Sequence, residues 1–267
     1  MRRCFLATAL CAAACASNPG TPRPQDTEPK EYPGLHNVVA YGDRIFCGSV
    51  PHGEEGFATL AAMGVRTIVS VDGAQPEVEA AKRHGLRTIH LPIGYAGVDD
   101  LRRLELARVV DAIEGSIYMH CHHGLHRSAA AAAAATVQLG ILTPDEATGR
   151  MRISGTSPKY PGLYACANVT RADARRLAAI GTDFPERALV TGLVQSMVEI
   201  DIVTNHLVAV DRAGWTVPAV HPDLVPAVET GRMADLFRHL PDDPEVRAKP
   251  SEFGRLLELQ IEATQAV

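Results

Sequence analysis

The chain has 267 residues, of which 46% are hydrophobic, and it carries a formal net charge of −5. This length is enough for one sizeable hydrophobic core with an appended lobe. The small negative charge lacks the basic footprint of nucleic-acid-binding proteins and offers no attraction to an anionic membrane surface. We therefore expect no nucleic-acid partner.

The N-terminal residues have the layout of an export signal. Two arginines precede a short apolar stretch that cannot span a membrane, and small residues follow it. Residues 1–16 therefore predict a secretory signal peptide cleaved after Ala16, or a lipoprotein signal in which Cys15 becomes a lipid-anchored N-terminus. Either alternative predicts export, to the bacterial periplasm or to a membrane surface. Residues 17–35 are rich in proline and polar side chains and predict a disordered linker.

Strand and helix patterns alternate from about residue 38 onward. Apolar, β-branched runs predict strands over 44–48, 65–71, 86–91 and 116–120, and helical patterns separate them over 54–63, 76–85 and 101–114. This alternation predicts an α/β fold with a mostly parallel central sheet flanked by helices. In such sheets the ligand site lies beyond the carboxyl ends of the strands.

The last of these strands runs into the stretch HCHHGLHRS, residues 120–128. A run of alanines ending at Gly140 follows and predicts a helix, so the stretch is a strand-to-helix turn. The first turn of a helix has unpaired N–H groups that attract anions. Gly124 lets the backbone curl so that successive amides face inward. The sequence therefore predicts an anion-binding loop.

Three side chains of this loop predict covalent chemistry on a phosphate. Cys121 opens the loop, where the helix N-terminus and Arg127 favour the thiolate, which is the attacking form. The planar fork of Arg127 matches two phosphate oxygens. The hydroxyl of Ser128 can hydrogen-bond the sulfur when it becomes the leaving group. Together they indicate phosphoryl transfer through a phosphocysteine, with no cofactor.

Cys121, five intervening residues and Arg127, with His120 before and Ser128 after, resemble the signature loop of the cysteine-dependent protein tyrosine phosphatase superfamily. The position of the loop late in the sheet resembles the dual-specificity branch. The resemblance implies a catalytic domain over 36–178 that hydrolyses phosphate monoesters. The substrate would be phosphotyrosine, phosphoserine or phosphothreonine in a protein, or a small-molecule phosphate.

The end of the loop is further similar to plant and fungal atypical phosphatases, several of which act on inositol pyrophosphates. Those loops commonly carry a lysine where this chain has Leu125. The resemblance implies that the substrate phosphate is held by His122, His123, Gly124, Leu125, His126 and Arg127, and that His120 supports the loop. Because the histidines crowd into one loop with no second Cys/His cluster elsewhere, we predict no metal site.

The mechanism also needs a general acid for the leaving oxygen. Relatives usually place an aspartate on a loop about thirty residues before the cysteine, and this chain has no acid at that distance. Asp99 and Asp100, in a glycine-rich stretch before the helix at 101, are the predicted acids. Each is equally suited to capping that helix. Asp72, at the carboxyl end of the strand at 65–71, is a second candidate.

The remainder of the chain, residues 179–267, shows helical patterns without strand signals and predicts an additional C-terminal helical lobe. Lys159 and Tyr160 in the turn-rich stretch before it are either substrate contacts or part of a plain connector. After loss of the signal three cysteines remain, Cys47, Cys121 and Cys166, so at least one thiol is unpaired. The sequence is compatible both with a Cys47–Cys166 disulfide and with free thiols at these positions. Two function classes remain: an exported phosphatase, for which inositol phosphates are an alternative substrate, and an inactive, pseudophosphatase-like phosphate-binding module.

Overall fold

Six strands form one sheet within the part of the chain described by the computed structural model, which is residues 21–189 and 192–265. The strands are β1 (Lys30–Tyr32), β2 (Leu35–Gly42), β3 (Ile45–Gly48), β4 (Val65–Ser70), β5 (Arg87–His90) and β6 (Ser116–His120). Their order is β1-β2-β3-β6-β4-β5. The four strands from β3 to β5 in this order are parallel, and β1 and β2 add an antiparallel edge. The predicted fold class, a mostly parallel sheet flanked by helices, is confirmed.

Helices cover both faces of this sheet and form the C-terminal lobe. Those of the first part are α1 (Gly53–Ala62), α2 (Val78–Arg83), α3 (Asp100–Ala112), α4 (Arg127–Leu139), α5 (Pro144–Ile153), α6 (Pro161–Ala165) and α7 (Ala174–Ala179). Those of the lobe are α8 (Gly192–Arg212), α9 (Pro226–His239), α10 (Pro244–Arg247) and α11 (Ser251–Gln265). Pro226 stands at the first position of α9, where a proline removes no helical hydrogen bond.

The alanine-rich helix α4 lies at the centre of the larger core. All seven alanines from 129 to 135 are fully buried, because their small side chains let the helix backbone approach the sheet closely. The helices α3, α5 and α6 pack on the same side, while Phe57 and Leu60 of α1 cover the opposite face over Tyr118. Helix α4 is therefore packed between the sheet on one side and the helices α3, α5 and α6 on the other.

The parallel strands end in line at one edge of the sheet. Gly48 pairs with His120, His120 with Ser70, and Ser70 with His90. The residues that follow these strand ends therefore gather at the same edge, as expected for a ligand site in an α/β sheet. Cys121 and Asp72 are among them.

The disordered linker predicted for 17–35 is wrong for its second half. Lys30–Tyr32 forms β1, which pairs with β2, and Leu35 is fully buried at the start of β2. Backbone pairing along an existing strand does not require apolar side chains, so the polar composition was misleading. Residues 1–16, with the predicted export signal, and residues 17–20 lie outside the described residues.

The C-terminal lobe has a core of its own, formed by Ile200 and Val203 of α8 with Met233 of α9 and Leu257 of α11. By length and composition alone, α8 would be able to cross a membrane. One face of it packs on α9 and α11 through Ile200 and Val203, and only 17% of its most apolar stretch is buried. Phe184, in the segment that leads to the lobe, belongs to the core of the sheet. The boundary at 178/179 stays a prediction.

Candidate active site

The nucleophile candidate Cys121 lies directly after β6, and its side chain is almost fully buried. Its Sγ is 3.4 Å from Oγ of Ser128, which is in the first turn of α4. Arg127 begins that helix. The structure therefore brings the three predicted residues together around the helix N-terminus.

The carbonyl groups of the loop point away from its interior. Three of them accept hydrogen bonds from outside the loop: His122 O from Val50 N at 3.0 Å, Gly124 O from Asn37 Nδ2 at 3.0 Å, and Leu125 O from Thr156 Oγ1 at 2.7 Å. Across a trans peptide bond the next N–H points the opposite way. The amides that follow these carbonyls therefore point away from those outside partners, which is the arrangement that an anion-binding nest requires.

Gly124 allows the loop to pass close to the end of β3. Its φ is +78°, and a Cβ atom there would lie 2.3 Å from Gly48 C and 2.4 Å from Ser49 N. These are backbone atoms that cannot move aside. Only glycine satisfies both the conformation and the close approach.

Asn37, which no sequence pattern marks as a site residue, supports the loop from β2. Its Nδ2 group donates to Gly124 O at 3.0 Å and to Ser154 O at 2.9 Å. Its backbone has a φ of 56°, and its N–H donates to Glu31 Oε1 at 2.9 Å. Asparagine is among the few residues that tolerate this left-handed conformation. No motif marks the residue, because its partner in the loop is 87 positions away.

Arg127 is held by a carboxylate in this structure. Its Nη1 donates to Oδ1 of Asp72 at 3.0 Å, and both side chains are largely buried. Burial alone would raise the pKa of Asp72, but the charge of Arg127, with help from two backbone amides, lowers it below its ordinary value. Asp72 is therefore an ionised acceptor that fixes the guanidinium.

Two further features of Arg127 bear on anion binding. Its guanidinium carbon lies 5.0 Å from the ring centroid of Tyr95, a cation–π arrangement. Its Nε is buried and has no hydrogen-bond partner among the described residues. A buried N–H donor without a partner is costly unless a ligand accepts from it. The fork thus keeps one donor for an oxyanion.

The predicted general acids are engaged at the start of α3. Asp99 is its N-cap and accepts the backbone N–H of Arg102 at 2.9 Å. Asp100 pairs with Arg103 of the same helix and lies 3.9 Å from Arg176 of α7. For Asp99 the structure shows the capping alternative, since the carboxylate satisfies an otherwise unpaired helix amide. The acid role of both residues stays a prediction, because these contacts are with α3 and α7 and not with the loop.

His120, the last residue of β6, supports the loop from the end of that strand. It is buried, and its Nδ1 lies 3.3 Å from the carbonyl of Cys121. Burial lowers the pKa of His120 to about 4, so the ring is neutral near pH 7. A neutral ring bonded to a carbonyl through Nδ1 donates there, which positions the peptide that follows the nucleophile.

The other loop histidines have separate partners. Nδ1 of His122 lies 3.6 Å from Oδ2 of Asp201 in α8. The ring of His123 stands edge-on to that of His122 at 4.4 Å. Nδ1 of His126 accepts the N–H of Ser157. Within residues 21–189 and 192–265, no group of three or more His, Cys, Asp or Glu residues is arranged to hold a metal ion.

An aromatic wall stands beside the loop. The ring of Tyr95 is 4.7 Å from that of Tyr160 and 6.2 Å from that of His126, and Tyr160 and His126 are 5.0 Å apart. Tyr95 is 42% exposed, so the wall is open to a ligand. Of the two connector residues singled out from the sequence, Tyr160 joins this wall.

The other two thiols of the described chain, Cys47 and Cys166, are free and buried. Burial raises the pKa of Cys47 to about 12, and burial also raises that of Cys166. Both therefore stay protonated near pH 7 and are not nucleophiles. No disulfide joins these two cysteines.

Comparisons with solved structures return phosphatases. No family model matches the chain, and no curated protein matches it. TpbA of P. aeruginosa, as a C-to-S variant in complex with pTyr, is 21% identical over 57% of this chain and 94% of its own, with a TM-score of 0.47. The catalytic domain of the S. cerevisiae PP-IP phosphatase SIW14 is 16% identical over 58% and 94%, with a TM-score of 0.47. A putative phosphatase of Shewanella putrefaciens is 15% identical over 51% and 93%, with a TM-score of 0.42.

Each of these structures covers between half and three fifths of the chain and more than nine tenths of its own length.

Proposed function

We propose that this chain is a cysteine-dependent phosphatase that hydrolyses aryl phosphate monoesters such as phosphotyrosine. The observation that carries the proposal is the loop geometry: carbonyls bonded outward, amides turned inward, and the Cys121 sulfur at the N-terminus of α4. This arrangement offers a phosphate a ring of donors and a nucleophile in line with it.

The reaction has two steps. The thiolate of Cys121 attacks phosphorus, the S–P bond forms, and the bond to the leaving oxygen breaks while that oxygen takes a proton. Water then attacks phosphorus and gives up a proton, and the sulfur leaves as thiolate beside the Ser128 hydroxyl. The inward amides and Arg127 stabilise the charge on the non-bridging oxygens in both steps.

The aromatic wall favours an aryl ester. The rings of Tyr95, Tyr160 and His126 stand next to the arginine that would bind the phosphate, so a flat leaving group can pack on them. Highly anionic inositol phosphates are disfavoured by the neutral Leu125 and by the carboxylate of Asp72 against Arg127. The alternative inositol substrate therefore ranks second.

The test is turnover by the chain without residues 1–16. We expect hydrolysis of p-nitrophenyl phosphate and a phosphotyrosyl peptide, with less on a phosphoseryl peptide and on inositol hexakisphosphate. The Cys121→Ser variant should have no turnover and should still bind phosphate. The Cys166→Ser variant, a matched change at another buried thiol, should keep wild-type turnover. An active wild type should also yield a trapped phosphocysteine. If the wild type binds phosphate but turns over none of these esters, it is a pseudophosphatase and the proposal is wrong.

The proposal includes export, supported by the signal-like residues 1–16. Fractionation of a bacterial host expressing the full chain should place it outside the cytoplasm. A Cys15→Ser variant separates the two alternatives, because only a lipoprotein loses its membrane attachment with that change. Recovery of the uncleaved chain in the cytoplasm contradicts export.

A further inference from the structure

We infer that His122 and Asp201 form an acid–base pair in which His122 is the general acid and Asp201, from the C-terminal lobe, positions it. This inference rests on the proposed function and supplies the step that the sequence left without a residue. It also gives the lobe a part in the chemistry. No aspartate in the predicted acid loop is needed for it.

The upstream carboxylates are poorly placed to donate a proton. Asp99 and Asp100 serve the start of α3. Asp72 is bonded to Arg127 and accepts the N–H of Gly73 at 2.7 Å, so its oxygens are used as acceptors. A carboxylate that must stay ionised to hold a buried arginine is a poor proton donor.

The segment leading to α8 runs along the edge of the sheet where the loop lies. His90 N donates to Pro185 O at 2.8 Å, and Gln75 Nε2 donates to Ala188 O at 2.9 Å. Gly73, the residue after Asp72, packs so closely on α8 that a Cβ there would lie 2.6 Å from Val198 Cγ2. This contact places α8 against the turn that carries Asp72.

One turn further along α8, Asp201 meets the loop. Its Oδ2 lies 3.6 Å from Nδ1 of His122, the residue after the nucleophile. The backbone of His122 is fixed by the hydrogen bond from Val50 N. Its ring is 30% exposed and lines a cavity of about 80 Å³ together with Asp72 and His120. His122 therefore has a fixed backbone, an acidic neighbour at Nδ1 and a partly exposed ring next to Cys121 in the chain, while Cys121 and Arg127 themselves do not line this cavity.

Other charged or titratable groups face His122 and enter any pH profile. They are His123 on the same loop, His52 before α1, and Asp72 and Glu77 in the wall of the cavity. For this reason the test below relies on leaving-group dependence and not on a pH optimum.

The chemistry of the pair is balanced over the two steps. His122, protonated on both nitrogens, gives the Nε2 proton to the leaving oxygen as the S–P bond forms and the P–O bond breaks. The neutral ring then takes a proton from the water that attacks phosphorus and frees the thiolate. The Asp201 carboxylate lies 3.6 Å from Nδ1 and orients the ring in both steps.

The experiment compares two substrates in the chain without residues 1–16. p-Nitrophenyl phosphate has a leaving group that departs without a proton, whereas phenyl phosphate needs one. We expect His122→Gln to lower kcat/KM on phenyl phosphate by roughly a hundredfold or more, within the usual range for a general acid, and to change kcat/KM on p-nitrophenyl phosphate far less, because kcat/KM reports only the steps through cleavage of the bond to the leaving group. Asp201→Asn should act in the same direction with little change in KM, and Asp201→Glu should restore part of the loss.

The matched control is Glu199→Gln on the same helix, whose carboxylate bonds Gln195 and which should leave both substrates unchanged. The inference is overturned if His122→Gln and Asp201→Asn alter the two substrates equally, or if Asp99→Asn or Asp100→Asn produces the selective loss. In those cases turnover of p-nitrophenyl phosphate that depends on Cys121 still supports the proposed function. Loss of that turnover in the wild type would instead reject the function itself.

Discussion

Replacing Asn37 tests whether the loop is held open from β2. Asn37→Ala removes the Nδ2 donor of Gly124 O and of Ser154 O and places alanine at a φ of 56°. Two partly buried hydrogen bonds contribute about 1 kcal/mol each. The left-handed backbone costs alanine about 1 kcal/mol more. We therefore expect the free energy of unfolding to fall by roughly 3 kcal/mol in total.

Two companion variants separate these contributions. Asn37→Gly loses the same hydrogen bonds but not the backbone conformation, so it should be about 1 kcal/mol more stable than Asn37→Ala. Asn37→Asp keeps the shape but sets a carboxylate oxygen against two carbonyl oxygens, and should be no better than glycine. All three should lower kcat/KM on p-nitrophenyl phosphate by roughly tenfold or more, because a loop shift worth about 1.4 kcal/mol in the transition state is tenfold in rate.

The assays are urea unfolding at pH 7 and steady-state kinetics on the same preparations. Thr59→Ala is a suitable control, because Thr59 also donates one side-chain hydrogen bond to a backbone carbonyl, that of Pro33, on an exposed part of the fold. It should change stability slightly and leave kcat/KM unaltered. If all three Asn37 variants keep wild-type kcat/KM, Asn37 does not hold the loop and the outward pull on Gly124 O is not needed for catalysis.

His120→Asn should make stability less sensitive to acid. Burial lowers the pKa of His120 to about 4 against 6.5 for a free ring, so the unfolded wild-type chain binds a proton that the folded chain does not. The free energy of unfolding of the wild type therefore falls as the pH falls from about 6.5 to 4, and between pH 7 and 5 urea unfolding should show a loss of about 2 kcal/mol from this residue. An equal loss in both proteins contradicts this. Gly124→Ala should abolish phosphate binding and lower the melting temperature, since its Cβ would lie 2.3 Å from Gly48 C; calorimetric detection of wild-type binding would refute the nest geometry. Asp72→Asn should destabilise the fold by about 3 kcal/mol, because it leaves Arg127 buried without its partner, and should tighten vanadate binding by removing a competing charge; weaker inhibition would contradict that.

The parts of the molecule that the sequence predicts are those set by short-range pattern. The strand at 116–120, the turn and the alanine helix are adjacent, so hydropathy, one glycine and an unbroken helix-forming run fix their order. The spacing of Cys121, Arg127 and Ser128 then places these side chains at a helix N-terminus whatever the rest of the chain does. Composition gave a wrong prediction for β1, because that strand is formed by backbone pairing with β2 and its polar residues alone are typical of a linker.

The residues that control the loop escape such patterns because their partners are far away in the chain. Asp72 is 55 positions from Arg127, and Asn37 is 87 from Gly124. Asp201 belongs to a lobe whose sequence carries no motif and meets His122 only because α8 packs on Gly73. The spacing within the loop places the proposed nucleophile and anion site next to each other in the chain. Its arginine, its backbone and the proposed proton donor depend on contacts supplied by other elements, so the proposed chemistry of this loop is a property of the folded chain and not of the nine residues alone.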